Sequence, residues 1–233
     1  MTDKLIKFVS YDDGALEFFK PVPLSKVVPQ WYKHIPNTVD FHDGEKLNPN
    51  IPTIKRCIPV LDYITSGYVL FNTYETVIRI EPDVHGINKA SHVCPAEDYI
   101  SGHPYDQCPV NMQNSKNHYF KVSNPWKVIT PPGYSCHFYQ PFFHLQEDYQ
   151  MFPAIVDTDK HEDSVNFVGL ALKKEFTIPA GEPLMVVYPF KRDDWKMEAS
   201  YDDYRNKNAF KFFVKKMWHG TYSRLFHSRK KFR

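Results

Sequence analysis

The chain has 233 residues and a mass of 27.4 kDa, room for one large domain or two small ones. Apolar residues make up 42% and aromatics 16%, which excludes wholesale disorder and leaves a sizeable core to bury. No run approaches the roughly 18 apolar residues of a membrane-spanning helix, and Met1-Thr2-Asp3-Lys4-Leu5-Ile6-Lys7 lacks the apolar stretch of a secretory signal. The expected setting is the cytoplasm.

Nineteen prolines against nine glycines cut the chain into short pieces, so no long helix is expected before residue 195. Residues 21–56 hold six prolines and little periodicity, and read as an extended layer with Pro29-Gln30-Trp31-Tyr32-Lys33 as a short anchoring turn. Strands are predicted at 68–71, 76–80, 120–122, 126–129, 165–172 and 184–188, all short, rich in β-branched and aromatic residues and bounded by turn formers. Pro132-Gly133 and Ala180-Gly181 have the composition of hairpin turns. Towards the end, Ser200 and Asp203 have the spacing of a helix N-cap. Phe210, Phe213, Val214, Met217 and Trp218 then recur at helical spacing, and Gly220 would stop that helix. The predicted fold is mainly β, a distorted jelly-roll or barrel, with an extended Pro-rich N-terminal layer and a C-terminal amphipathic helix. Residues 1–203 form one domain in this reading, and 204–233 a tail that is helical to about residue 219.

The net charge of +2 hides an asymmetry. From Tyr204 to Arg233 there are ten Lys or Arg and no acid, which leaves 19 basic against 27 acidic residues before it. Such a tail suits phosphate backbones, anionic lipid, or an acidic protein surface, including the body's own. Phe210, Phe213, Met217 and Trp218 would dock on protein, in the same chain or another subunit, which makes a homo-oligomer or a protein partner the expected assembly. Arg224, Arg229, Lys230, Lys231 and Arg233 could meet nucleic acid, with Tyr222, Phe226 and Phe232 available to stack on bases. Among the cysteines Cys57, Cys94, Cys108 and Cys136 no pair has C-x-x-C spacing. His92, Cys94, His103 and Cys108 lie close in sequence, but their spacings fit no common zinc module, and buried reduced thiols are the expectation.

The stretch from Asn124 to Arg192 carries the most information. It holds Asn124-Pro125-Trp126, Thr130-Pro131-Pro132-Gly133-Tyr134-Ser135, Pro153-Ala154-Ile155-Val156-Asp157-Thr158-Asp159, and Ile178-Pro179-Ala180-Gly181-Glu182-Pro183-Leu184-Met185-Val186. In order and spacing this resembles the deoxyuridine triphosphatase and deoxycytidine triphosphate deaminase superfamily over roughly residues 126–195. The resemblance implies a related barrel and puts Asp157 at the family's first loop aspartate, which holds the deoxyribose 3′-hydroxyl and orients the attacking water. It puts Asp159 at the second. Under that reading Tyr134, Ser135, His137 and Gln140 line the pocket, and Mg²⁺ is required. The sequence departs from the family at Lys160, His161 and Glu162, where a tyrosine, an arginine and a glycine stand, and at Val186, where a glutamine ends the last motif. It also reads Cys136-His137-Phe138-Tyr139-Gln140-Pro141 where the family's R-S-G-L phosphate loop belongs.

Other segments resemble a family of tailed-phage proteins of unknown function: Ile54-Lys55-Arg56-Cys57-Ile58-Pro59-Val60-Leu61-Asp62 with Ser66-Gly67-Tyr68, Gly102-His103-Pro104-Tyr105-Asp106-Gln107, and Asn124-Pro125-Trp126 with the Pro131–Ser135 turn. This implies a phage setting, in the host cytoplasm or the virion, and no activity. His103 and Gln107 are polar groups suited to reading a ligand or to holding a loop. His161 and Asp163 form an H-x-D, with His219 and Arg229 downstream, the residue types of an iron- and 2-oxoglutarate-dependent oxygenase.

The missing phosphate loop directs the reading to a non-enzymatic binding or assembly protein with the basic tail as a contact arm and no cofactor. The alternative is a divergent deoxynucleotide hydrolase or deaminase in which Asp157 activates water. An iron oxygenase is the minor alternative.

Overall fold

The computed structural model describes residues 4–82, 88–102, 119–201 and 221–233. In chain order it contains β1 (Lys7–Ser10), α1 (Asp13–Phe18), β2 (Val22–Pro23), α2 (Gln30–His34), β3 (Thr38–Asp43), β4 (Lys46–Pro52), α3 (Ile58–Thr65), β5 (Tyr68–Phe71), β6 (Thr76–Pro82) and β7 (Asn88–Val93). There follow β8 (Ile100–Gly102), β9 (Tyr119–Val122), β10 (Trp126–Ile129), β11 (Tyr134–Tyr139), β12 (Tyr149–Met151), β13 (Ala154–Val156), β14 (Phe167–Ala171), β15 (Glu175–Ile178), β16 (Pro183–Lys191) and α4 (Thr221–Leu225). The chain divides into two compact units, one of residues 1–27, 67–192 and 232–233, the other of residues 28–66 and 193–231.

The first unit holds the mainly β architecture that the sequence predicts. Its sheets run β13-β11-β16-β5-β2, β12-β14-β9-β8, β15-β6-β7 and β1-β10, and every pairing is antiparallel. Among the described residues no sheet closes into a barrel. One core joins these sheets: Leu70, Phe138, Met185 and Val187 meet Phe120, Val122, Tyr149, Phe167, Phe176 and Ile178. The pattern of β16 explains its central place. Leu184-Met185-Val186-Val187 is buried throughout, as a strand covered on both faces must be. Met185 and Val187 face the main core, while Val186 packs with Val69 and Leu24 on the opposite face. A buried polar clasp holds the loop after β5. Asn72 Nδ2 donates to the carbonyls of Tyr74, Ile178 and Pro179 at 2.7, 2.9 and 3.0 Å. Its Oδ1 accepts from the Tyr99 hydroxyl at 2.8 Å, and that hydroxyl accepts from Thr73 N–H at 2.8 Å. Burial pushes the Tyr99 phenol up to about 12, so it stays a donor at any ordinary pH.

Both Pro/Gly segments are turns. Tyr134 N–H closes on the Pro131 carbonyl (3.2 Å) and Glu182 N–H on that of Pro179 (3.2 Å). Gly133 (φ +84°) and Gly181 (φ +82°) take the left-handed position that such turns reserve for glycine.

The stretch 21–56, expected as an extended layer, is divided between the two units after Val27. In the first unit Val22–Pro23 pairs with β5 and Leu24–Lys26 is a 3₁₀ turn, while in the second unit the stretch folds into α2, the β3–β4 hairpin and a 3₁₀ turn, Ile54–Arg56. The anchoring turn at Pro29–Lys33 is present as α2, whose Tyr32 is buried and donates to the Lys55 carbonyl at 3.4 Å. Helix α3 also escaped the sequence reading, although Pro59 at its start is a favoured helix-opening residue. The cap at Ser200–Asp203 and the helix expected to residue 219 lie outside the described residues, apart from Ser200 and Tyr201.

Candidate functional site

The turn 131–133 leads into β11, which lies between β13 and β16. The loop after β13 carries Asp157-Thr158-Asp159, and Arg192 follows directly on β16. These four segments converge. Arg192 Nη1 donates to Asp159 Oδ1 at 2.8 Å, and Nη2 donates to Asp159 Oδ2, so the pair is bidentate. Gly133 N–H donates to the same Oδ2 at 2.8 Å. The Arg192 guanidinium also donates to the Tyr134 carbonyl and the Ser135 hydroxyl, each at 3.0 Å. Ser135 Oγ donates in turn to Asp157 Oδ1 at 2.6 Å, and Arg192 lies 3.2 Å from that oxygen. Beneath, buried Thr130 and Thr158 join their hydroxyls at 2.8 Å, and Thr158 reaches the Cys136 sulfur at 3.3 Å.

The two aspartates differ in access. The Asp159 side chain is 5% exposed and that of Asp157 is 53% exposed. The Arg192 hydrogen bonds, assisted by the Gly133 amide and the guanidinium charge, hold the Asp159 carboxyl down at about 2. Its two oxygens are spent on Arg192 and Gly133, which makes the cluster a latch closing the Pro-Pro-Gly turn onto the end of β16. A magnesium ion does not fit these carboxylates as they stand: Asp159 is fully paired, and the guanidinium that pairs it also flanks Asp157.

The latch has a testable pH signature. A folded value near 2 lies below the ordinary aspartate value of about 3.9, so the pair stabilises the fold fully above about pH 4 and stops doing so as pH falls towards about 2. Asp159→Asn is expected to lower Tm on the order of 5 °C at neutral pH. The gap from wild type should close on acidification to about pH 2, as read by thermal melts across that range. A pH-independent gap would contradict the latch.

The structure brings Tyr134 and Ser135 to the aspartates but distributes the other expected residues. Tyr134 is half-buried with Lys4 Nζ 4.9 Å from its ring centre. His137 is opposite Tyr188 in the sheet, and its ring lies 4.9 Å from that of Tyr139. Gln140 uses Oε1 to accept the Met151 N–H at 2.9 Å, an edge-pinning contact. His103, Gln107, Phe210, Phe213, Met217, Trp218 and His219 lie outside the described residues. His161 turns Nδ1 to the Asp163 backbone (2.9 Å to the carbonyl), while Asp163 Oδ1 accepts from Ser164 N–H at 2.7 Å. Among the described residues, no three His, Cys, Asp or Glu side chains are grouped to hold a metal ion.

The end of the tail makes defined side-chain contacts in each unit. Within the second unit, Lys230 and His227 both reach Asp62 of α3, while Arg229 and Lys231 stay exposed. Within the first unit, the Phe232 ring packs against Tyr68 and Tyr188, each at 5.7 Å, and the Tyr68 hydroxyl donates to the Arg233 carbonyl at 3.3 Å. Phe232 is therefore not free to stack on a base. Sequence reasoning missed Arg192 and Asp62. An unassigned arginine inside the 126–195 resemblance was the one available signal for the first, and the second had none.

No protein family and no curated protein matches the sequence. Among solved structures, the native dUTPase of EIAV is similar with a TM-score of 0.34 and 9% identity, over 59% of this chain and 84% of that one.

Proposed function

We propose that this is a non-enzymatic binding or assembly protein, of the phage type that the sequence resembles, built on a β scaffold and acting through an oligomer or a protein partner. The observation that carries the reading is the latch. A triphosphate site needs unpaired donors and net positive charge, yet the one arginine at this position is shared by two carboxylates. The backbone that follows the turn is equally occupied. Strand β11 is hydrogen-bonded to β13 on one side and to β16 on the other, so its amides do not converge on a phosphate. Asp157 stays half-exposed beside the latch, and an accessible carboxylate repels phosphate.

The test is a turnover assay. Purified protein with Mg²⁺ and a panel of deoxynucleoside triphosphates, followed by chromatography, is expected to give no pyrophosphate and no deaminated base. Product that disappears in Asp157→Asn would overturn the proposal in favour of a nucleotide hydrolase or deaminase.

A further inference from the structure

The segment 221–231 carries Arg224, His227, Arg229, Lys230 and Lys231 and no acidic residue. Asp62 of α3 takes two of these. His227 Nε2 lies 3.0 and 3.1 Å from its two oxygens, and Lys230 Nζ donates at 2.6 Å. Burial pushes the Asp62 carboxyl up, but the hydrogen bonds and charges of Lys230 and His227 more than offset this and leave it below its ordinary value. An ionised Asp62 thus fixes the stretch beyond α4, which belongs to neither helix nor strand.

That clasp sorts the remaining groups. Arg229 and Lys231 flank the clasped Lys230 and are exposed, and Arg224 is exposed on α4. None of the three has an acidic partner among the described residues. Tyr222 of α4 and Phe226, the residue just after it, whose N–H donates to the Tyr222 carbonyl at 3.0 Å, are 45% and 59% exposed. The Tyr222 ring lies 6.0 Å from that of His227, which places one aromatic face beside the cationic run.

We propose that this surface of the second unit binds single-stranded nucleic acid, with Arg224, Arg229 and Lys231 on phosphates and Tyr222 and Phe226 stacking on bases. Cations interleaved with exposed rings are the two things a single strand requires, since its bases are unstacked and its backbone is a run of like charge. A duplex would satisfy the cations but leave the rings nothing to stack on. An anionic membrane would satisfy the cations too. It calls for aliphatic surface to immerse, however, and the patch offers Leu225 alone besides the two rings. The inference deepens the binding role above by naming the partner. It is tested without nucleoside triphosphates, so its failure leaves the turnover result untouched.

The experiment uses the full chain and a fluorescein-labelled oligo-dT, read by anisotropy while salt is raised. Binding is expected with log K falling linearly in log salt. Arg229→Ala/Lys231→Ala should lose affinity about tenfold or more and make the salt slope shallower by about 1.4, at about 0.7 per phosphate on a single strand. Tyr222→Ala/Phe226→Ala should lose about tenfold or more with the slope unchanged. All four positions lie on the surface segment, and thermal melts check that the variants stay folded. Absence of binding at low salt, wild-type affinity in either double variant, or preference for phosphatidylserine vesicles that oligo-dT cannot displace would each overturn the proposal.

Discussion

Asn72→Ala is expected to cost about 4 kcal/mol, a large share of the stability of a domain of this size. The side chain is fully buried, and its amide serves the carbonyls of Tyr74, Ile178 and Pro179 while its oxygen receives Tyr99. Two N–H bonds serving three carbonyls means that one is shared. Alanine would strand those acceptors and the Tyr99 proton away from water, and the desolvation of each would go unrepaid. Urea denaturation should show a lower midpoint with an unchanged slope. A loss below about 1 kcal/mol would mean that the clasp is dispensable.

The second large effect concerns a residue without a side chain. Gly169 of β14 is directly opposite Phe120 of β9, and a Cβ at Gly169 would come within 2.3 Å of the Phe120 ring. The ring cannot retreat. It is fully buried, with Tyr149 edge-on at 6.1 Å and Phe176 at 5.8 Å. Alanine favours strand more than glycine does, so local propensity alone would make Gly169→Ala neutral or stabilising. Overpacking should win, at about 3 kcal/mol. Pairing it with Phe120→Leu, which frees the space, should recover part of the loss; the double-mutant cycle measures the coupling. Two additive losses would show that the clash is not the cause.

Which parts the sequence announces follows from the reach of each interaction. The strands at 68–71, 126–129 and 184–188 are runs of β-branched and aromatic residues whose burial needs nothing beyond the local pattern. Strand β11 hides because Tyr134-Ser135-Cys136-His137-Phe138-Tyr139 mixes small polar groups into its alternation, one of them, Ser135, buried to serve the latch. The β3–β4 hairpin hides behind Pro49 and Pro52, which a two-stranded ribbon tolerates because both strands are edges. The candidate site divides in the same way. The pairing of the turn with the Asp157–Asp159 loop is visible as a motif order. Arg192 lies 33 residues from Asp159, and His227 lies 165 from Asp62, distances at which no periodicity speaks. Both ion pairs come from tertiary folding, and both change what the motif would do, the first by occupying the aspartates and the second by fixing the tail.

Asp159 and Arg192 close the position at which the motif order of 126–195 would lead one to expect a nucleotide. Calorimetric titration of the protein with deoxyuridine triphosphate and Mg²⁺ tests it most directly. No saturable heat is expected, for wild type and for Asp157→Asn alike. A one-to-one isotherm that Asp157→Asn abolishes would show that the latch opens for a nucleotide and would contradict the account.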